Sequence, residues 1–456
     1  MAFPWTKFQD FYLRLGFLKA LALSLDPDRR SALNQAIERR LARPLFEQAR
    51  KHQQLWTDVR VYFPDDHSSG SIKFTTVAQA LLVSSGCPSS LFAITPETSY
   101  KVLNWGHDVY FVGRGNQISE RALVLRALMD VPSADEFLAG DACAWNPFVL
   151  TIQEKIFFLY HLAEIDQLTV LLIEGLAERD TNNALETGDA ARLMCRRFFG
   201  LLSQRQSSLL PRETPKYRIA LDLACVIADE LGLSEFSSVC GAASGARRIG
   251  RSVKRAPLSR AGQHSRRTTK SADHQTIPRF EQLTDLGFLT KTNSPISVAT
   301  SENIAQRARW RYIPTDACRR WGTNGLATLG LDKFLFQGFA HSAVRAYGLG
   351  PPRLDVHDGV SAQYLWRAYE KIRRPVGHTP FDSVALLAMI YAAVDGVAIE
   401  MSTFHTLMLR IKQQEVVPNH AFFASGNEID KMFILLKPGF LQALDVSNDV
   451  AGKATR

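Results

Sequence analysis

The stretch "TIPRFEQLTDLGFLTKTNSPISVATSENIAQRARWRYIPTDACRRWG", Thr276–Gly322, changes its periodicity several times over a short distance. Leu283 and Leu286 share a helical face, and the pattern stops at Gly287, which predicts a helix end there. Phe288 and Leu289 open an extended segment, and an irregular polar stretch follows. "RARWRYI" (Arg307–Ile313) then alternates as a returning strand, and "TDACRRW" (Thr315–Trp321) restarts a helix. This order of helix, strand, loop and strand predicts a mainly α protein with small β-hairpins.

Within that stretch, "LTDLGFL" (Leu283–Leu289) resembles the end of the recognition helix of winged-helix DNA-binding modules, and "YIPTDACRRW" (Tyr312–Trp321) resembles that family's exit from the wing. The resemblance spans residues 277–322. It implies that Arg279, Gln282 and Thr284 lie nearest a DNA groove, with Arg307, Arg309 and Arg311 on the wing. If "ARWRYIP" is a wing strand, Trp310 and Tyr312 point one way and the arginines the other. A second winged-helix-like order occupies 379–440, with one helix fewer than the family's usual set. There "TPFDSVALLAMIYAAVDG" reads as a helix with Thr379 as N-cap and Pro380 first, "VAIEM" as a short strand and "STFHTLMLRIKQQ" as a second helix. "HAFFASGNEIDKMFILLKP" then reads as a hairpin around Gly426 and Asn427.

Upstream of the first stretch runs "GARRIGRSVKRAPLSRAGQHSRRTTK", Gly245–Lys270. It holds nine basic residues and no acidic one: Arg247, Arg248, Arg251, Lys254, Arg255, Arg260, Arg266, Arg267 and Lys270. The whole chain carries 54 Lys and Arg against 45 Asp and Glu, so its net charge of +9 is concentrated here. Such a localised run points to one anionic partner. Its first eight residues have the glycine spacing of a phosphate-binding loop, but Arg251 replaces the lysine and no apolar strand precedes it. A flexible basic tether neutralising the phosphates of duplex DNA fits better.

The remaining chain reads as helical scaffold around these elements. The expected segments are an N-terminal helical region (1–58), a mixed α/β module of looser winged-helix-like order (59–145), a helical domain (146–243), the basic linker (244–276), the winged-helix-like segment (277–322), a connecting helical region (323–378) and a C-terminal winged-helix-like module (379–456). "HDVYFVG" (His107–Gly113) predicts a strand, and "SERALVLRALM" a helix from Ser119. "NPFVLTIQEKIFFLYHLAEIDQLTVLLIEGLAE" predicts one central helix behind a Thr151/Glu154 capping box. "PKYRIALDLACVIADELGL" predicts another, capped by Thr214 and ended by Gly232.

Catalytic patterns are sparse. The sequence contains no HExxH and no G-x-S-x-G, and the six cysteines include no CxxC pair, which argues against a disulfide framework and a zinc finger. His161 reads as a core histidine. Asp355, His357 and Asp358 read as a polar turn rather than a metal cluster. A nuclease core would need Asp65 or Asp66 with Lys73, but Ser71 stands where a second carboxylate belongs. No metal or cofactor is expected, and neither a signal peptide nor a membrane span is apparent, so the expectation is a cytoplasmic protein. The reading is a non-enzymatic DNA-binding component of a larger bacterial-type assembly for replication, partition or phage defence, possessing other protein subunits as partners. The alternatives are a metal-dependent nuclease and a protein-interaction scaffold.

Overall fold

The computed structural model describes residues 15–24, 106–113, 118–131, 149–179, 184–245, 271–299, 304–322, 330–353, 357–414, 419–425 and 432–444. The expectations for Arg247–Lys270, for Asp65, Asp66, Ser71 and Lys73, and for Asp355 lie outside them. In chain order the elements are α1 (Gly16–Ser24), α2 (Glu120–Leu128), α3 (Ile152–Ile165), α4 (Gln167–Ala177), β1 (Leu185–Glu186), α5 (Thr187–Gln206), α6 (Thr214–Glu230), α7 (Ser237–Gly245) and α8 (Ser271–Asp285). Then follow β2 (Leu289–Ala299), β3 (Ile304–Pro314), α9 (Asp316–Trp321), α10 (Leu331–Gln337), α11 (Phe339–Tyr347), α12 (Asp358–Ile372), β4 (Thr379–Pro380), α13 (Phe381–Val394), α14 (Met401–Gln414), β5 (Ala421–Ser425) and β6 (Met432–Leu436). The protein is mainly helical with small antiparallel sheets, and it falls into two compact units.

One unit contains Leu162–Arg319. Its sheet has the order β1–β3–β2, with Leu185 opposite Tyr312 and Leu289 opposite Pro314. The strand Leu185–Glu186 therefore ties the helices expected as a separate 146–243 domain to the 277–322 segment in one core. Helix α8 packs on α4, α5 and α6. It ends as the sequence predicts: Gly287 takes φ +82°, Phe288 N–H donates to the Leu283 carbonyl (2.9 Å) and Gly287 N–H to that of Thr284 (3.0 Å). The segment expected to be irregular after Leu289 is strand as far as Ala299, because β3 supplies a ladder partner for each residue. A disulfide joins α6 to α7 through Cys225 and Cys240.

The other unit contains Leu15–His161 and Arg320–Arg456. Its centre is α13, buried from Val384 to Ala393 and packed against α2, α11, α12 and α14. Its sheet has the order β4–β6–β5, with Thr379 opposite Ile434 and Ala421 opposite Leu436. The predicted strand pair is present, and its turn at Gly426 and Asn427 lies outside the described residues. Helix α12, which precedes β4, falls in the 323–378 stretch expected as a connecting helical region. Thr379 is not an N-cap: it lies in β4, its hydroxyl accepts the Arg374 N–H (3.1 Å), and Pro380 caps a helix beginning at Phe381. "VAIEM" is not a strand, and only Val397 forms a bridge, with Arg353.

Capping follows the sequence at α2 and α3 but not at α6, where Glu213 is the N-cap and Thr214 is the first helical residue. Ser119 accepts the Ala122 N–H (3.2 Å) at the start of α2. At α3 the Thr151 N–H donates to Glu154 Oε2 (2.8 Å) and the Glu154 N–H to Thr151 Oγ1 (3.4 Å). The same Glu154 oxygen meets Lys19 Nζ at 2.8 Å, both side chains buried, so the cap also anchors α1. Two further predictions fail. "HDVYFVG" makes one bridge, Val112 to Ile118, after a turn at Tyr110. The long apolar helix breaks at Asp166 into α3 and α4.

Candidate nucleic-acid interface

Helix α8 and the β2–β3 hairpin hold the residues expected at DNA, and the α14 face with the β5–β6 hairpin is a further exposed surface. Helix α8 corrects the expectation. Arg279 is fully buried, its Nε donating to Asp166 Oδ2 (2.7 Å), its Nη2 to Asp166 Oδ1 (3.1 Å), and its Nη1 to the Gln275 carbonyl (2.8 Å) and Gln275 Oε1 (3.2 Å). Thr169 Oγ1 also donates to Asp166 Oδ2, at 3.1 Å. A bidentate guanidinium–carboxylate pair buried from solvent holds both charges in place. Gln282 is fully buried, and the Thr284 hydroxyl donates to the Phe280 carbonyl (2.9 Å). Arg279, Gln282 and Thr284 therefore face the interior and present no helix face to a groove.

The same helix carries a second buried charge that the sequence reading did not find. Glu281 Oε1 lies 2.7 Å from Lys291 Nζ in β2 and accepts from Tyr312 Oη in β3 at 2.9 Å. One carboxylate thus fastens α8 to both strands of the hairpin. The signal was an acidic residue on α8 followed by a lysine at the third position of β2.

On the hairpin, Arg311 Nη2 lies 3.4 Å from Glu186 Oε1, its cross-strand neighbour on β1. Tyr312 is buried and Arg311 half-exposed, so the two alternate as a strand requires. Arg307 and Arg309 stand opposite Ile296 and Ser294 in the ladder.

Helix α14 is different. Phe404, Leu407, Met408 and Ile411 form its buried stripe, while Thr406, Leu409, Arg410, Lys412 and Gln413 are exposed. Glu400, just before it, accepts the N–H groups of Ala340 (3.0 Å) and His341 (2.9 Å) at the start of α11. Burial pushes the Glu400 carboxyl above its ordinary range, and these N–H bonds oppose that rise. The face is not uniformly basic: Arg410 Nη2 meets Asp358 at 2.5 Å, and His405 Nε2 lies 3.2 Å from Asp382. Beside it, Lys437 lies over the Phe422 ring at 4.5 Å on the hairpin.

Among the described residues, no three His, Cys, Asp or Glu side chains gather as a metal site, and no single helix is long and apolar enough to cross a membrane. His357 precedes α12, and Asp358 is engaged by Arg410. No protein-family model, curated protein or solved structure matches the chain.

Proposed function

We propose that the chain binds duplex DNA, without catalysing a reaction on it, through winged-helix-like modules in its two units. The observation that carries this reading is a shared order of elements. In each unit a helix (α4 or α12) precedes a two-residue strand that runs straight into another helix, and a later helix precedes a hairpin: α8 in the first unit, after α6 and α7, and α14 in the second. The sheet order is first, third, second in both. That order is the arrangement in which a winged-helix module offers the helix before its hairpin to the major groove.

In the first unit that helix is α8, which is buried. Base contact is therefore assigned to α14 of the second unit, through Thr406, Leu409 and Gln413. Backbone contact is assigned to Lys412, Lys437 and the nine basic residues from Arg247 to Lys270. Partner subunits of a larger assembly remain part of the proposal, with no surface assigned to them.

The test is binding of a labelled random duplex over a salt series by the full chain, a 245–270 deletion and Lys412→Ala. The affinity should fall steeply with salt, the deletion should flatten the log–log slope by several units, and Lys412→Ala by about one. Absence of binding by the full chain at low salt would overturn the reading.

A further inference from the structure

The Cys225–Cys240 bond differs from every other described cysteine in its surroundings. Cys195 and Cys318 are buried thiols whose Sγ atoms lie 3.9 Å from the Ala224 carbonyl and 3.4 Å from the Ile173 carbonyl, and burial pushes both pKa values up to about 12. Thiols so placed are inert. Cys225 and Cys240 are partly exposed, and both line an open cleft of about 610 Å³ between α6 and α7. A small molecule can reach the sulfurs.

The cleft also has a chemical sign. Asp229 lines it together with Val226 and Phe236, and no basic side chain does so among the described residues. An incoming thiolate with a second negative charge is repelled there, and one carrying an ammonium group is attracted. The bond matters for α7 itself. In that nine-residue helix Ser237, Ser238, Val239 and Gly241 are exposed, and a helix this short does not hold in water on its own propensity. The covalent link fixes it to α6 at Cys240.

We propose that Cys225 and Cys240 form a reversible redox site that exchanges with small neutral or cationic thiols and disulfides, and that reduction releases α7 from α6. A thiolate attacks one sulfur, the Cys225–Cys240 bond breaks, and the departing cysteine leaves with the electron pair and takes up a proton. A second thiolate then attacks the mixed disulfide, freeing the other cysteine and yielding the oxidised small-molecule disulfide. Cystamine run in reverse re-forms the bond and is itself reduced to cysteamine.

The experiment uses the full chain. After incubation with cystamine, free thiols are blocked, the protein is reduced, and newly exposed thiols are labelled with a second reagent for peptide mapping. Cys225 and Cys240 should carry the second label; the first label on both would overturn the assignment. Reduction rates are then compared at low salt for cysteamine and 2-mercaptoethanesulfonate at equal thiolate concentration. Cysteamine should be several-fold faster, and Asp229→Asn should bring the ratio towards one; equal rates in the parent chain would overturn the charge selection. Amide exchange in α7 should quicken more than tenfold on reduction and in Cys225→Ser/Cys240→Ser without reductant, and unchanged exchange in both would overturn the release.

Discussion

At Arg279 the charge that looked available for DNA is spent on Asp166, a partner 113 residues away in the chain. Arg279→Ala strands a buried carboxylate and should cost about 3–5 kcal/mol in urea unfolding. The salt slope of DNA binding should stay as it was; a loss of slope with unchanged stability would return Arg279 to the interface. His161 was legible as a core histidine because it sits inside an apolar run. Its Nε2–H donates to the Val109 carbonyl (2.7 Å) and its ring packs against Phe111 and Phe157. Burial above all, then the nearby Arg121 charge, pulls its pKa down from 6.5 to about 3, against the Val109 bond. Between those values the unfolded chain takes up a proton that the folded chain refuses. Stability present above pH 6.5 is thus lost as pH falls towards 3, by up to about 1.4 kcal/mol per pH unit. Urea midpoints at pH 7, 6 and 5 should fall less in His161→Phe than in the parent, and parallel falls would show that another group governs the acid response.

Among the elements, those with a local chemical stop or start were readable. The Thr151/Glu154 box and the glycine stop of α8 need only neighbours in sequence. The break at Asp166 carried no proline or glycine to announce it, and β1 and β4 are two residues long, too short to display alternation. Arg279 failed for a related reason: nearly all of α8 is buried, so its polar spacing could not reveal which face met solvent. The end of α13 gives a sharp test. Gly396 has φ +75°, and an added Cβ would lie 2.6 Å from the Leu349 carbonyl oxygen. Gly396→Ala combines a disfavoured backbone with a contact that no side chain can relieve, so a loss of about 2–3 kcal/mol and a Tm lower by several degrees are expected. An unchanged melting curve would mean that the turn after α13 can be rebuilt. The Cys225–Cys240 link closes a short loop, and its removal should cost about 3 kcal/mol in the unit that contains it.

Across the whole chain, the concentration of positive charge before α8 was plain from composition, and the mainly helical character with small hairpins was plain from periodicity. Helix α12 lies in the stretch read as a connecting helical region, but which strand it precedes depends on pairing with β6, far along the chain. A backbone contact and a base contact should behave differently in the intact protein. Arg266→Ala should weaken binding to every duplex alike and lower the salt slope by about one. Gln413→Ala should leave the slope unchanged and weaken binding to a selected sequence more than to random DNA. Equal effects from the two would place α14 away from the bases. The direct passage from strand to helix at Glu186–Thr187 and again at Pro380–Phe381 sets a constraint on how such a chain can change its length. One extra residue at either junction would turn the helix by about 100° against its strand and move the strand's side chains to the opposite face. A library of single-codon insertions selected for folding should show two narrow gaps there, because no slack separates the two registers.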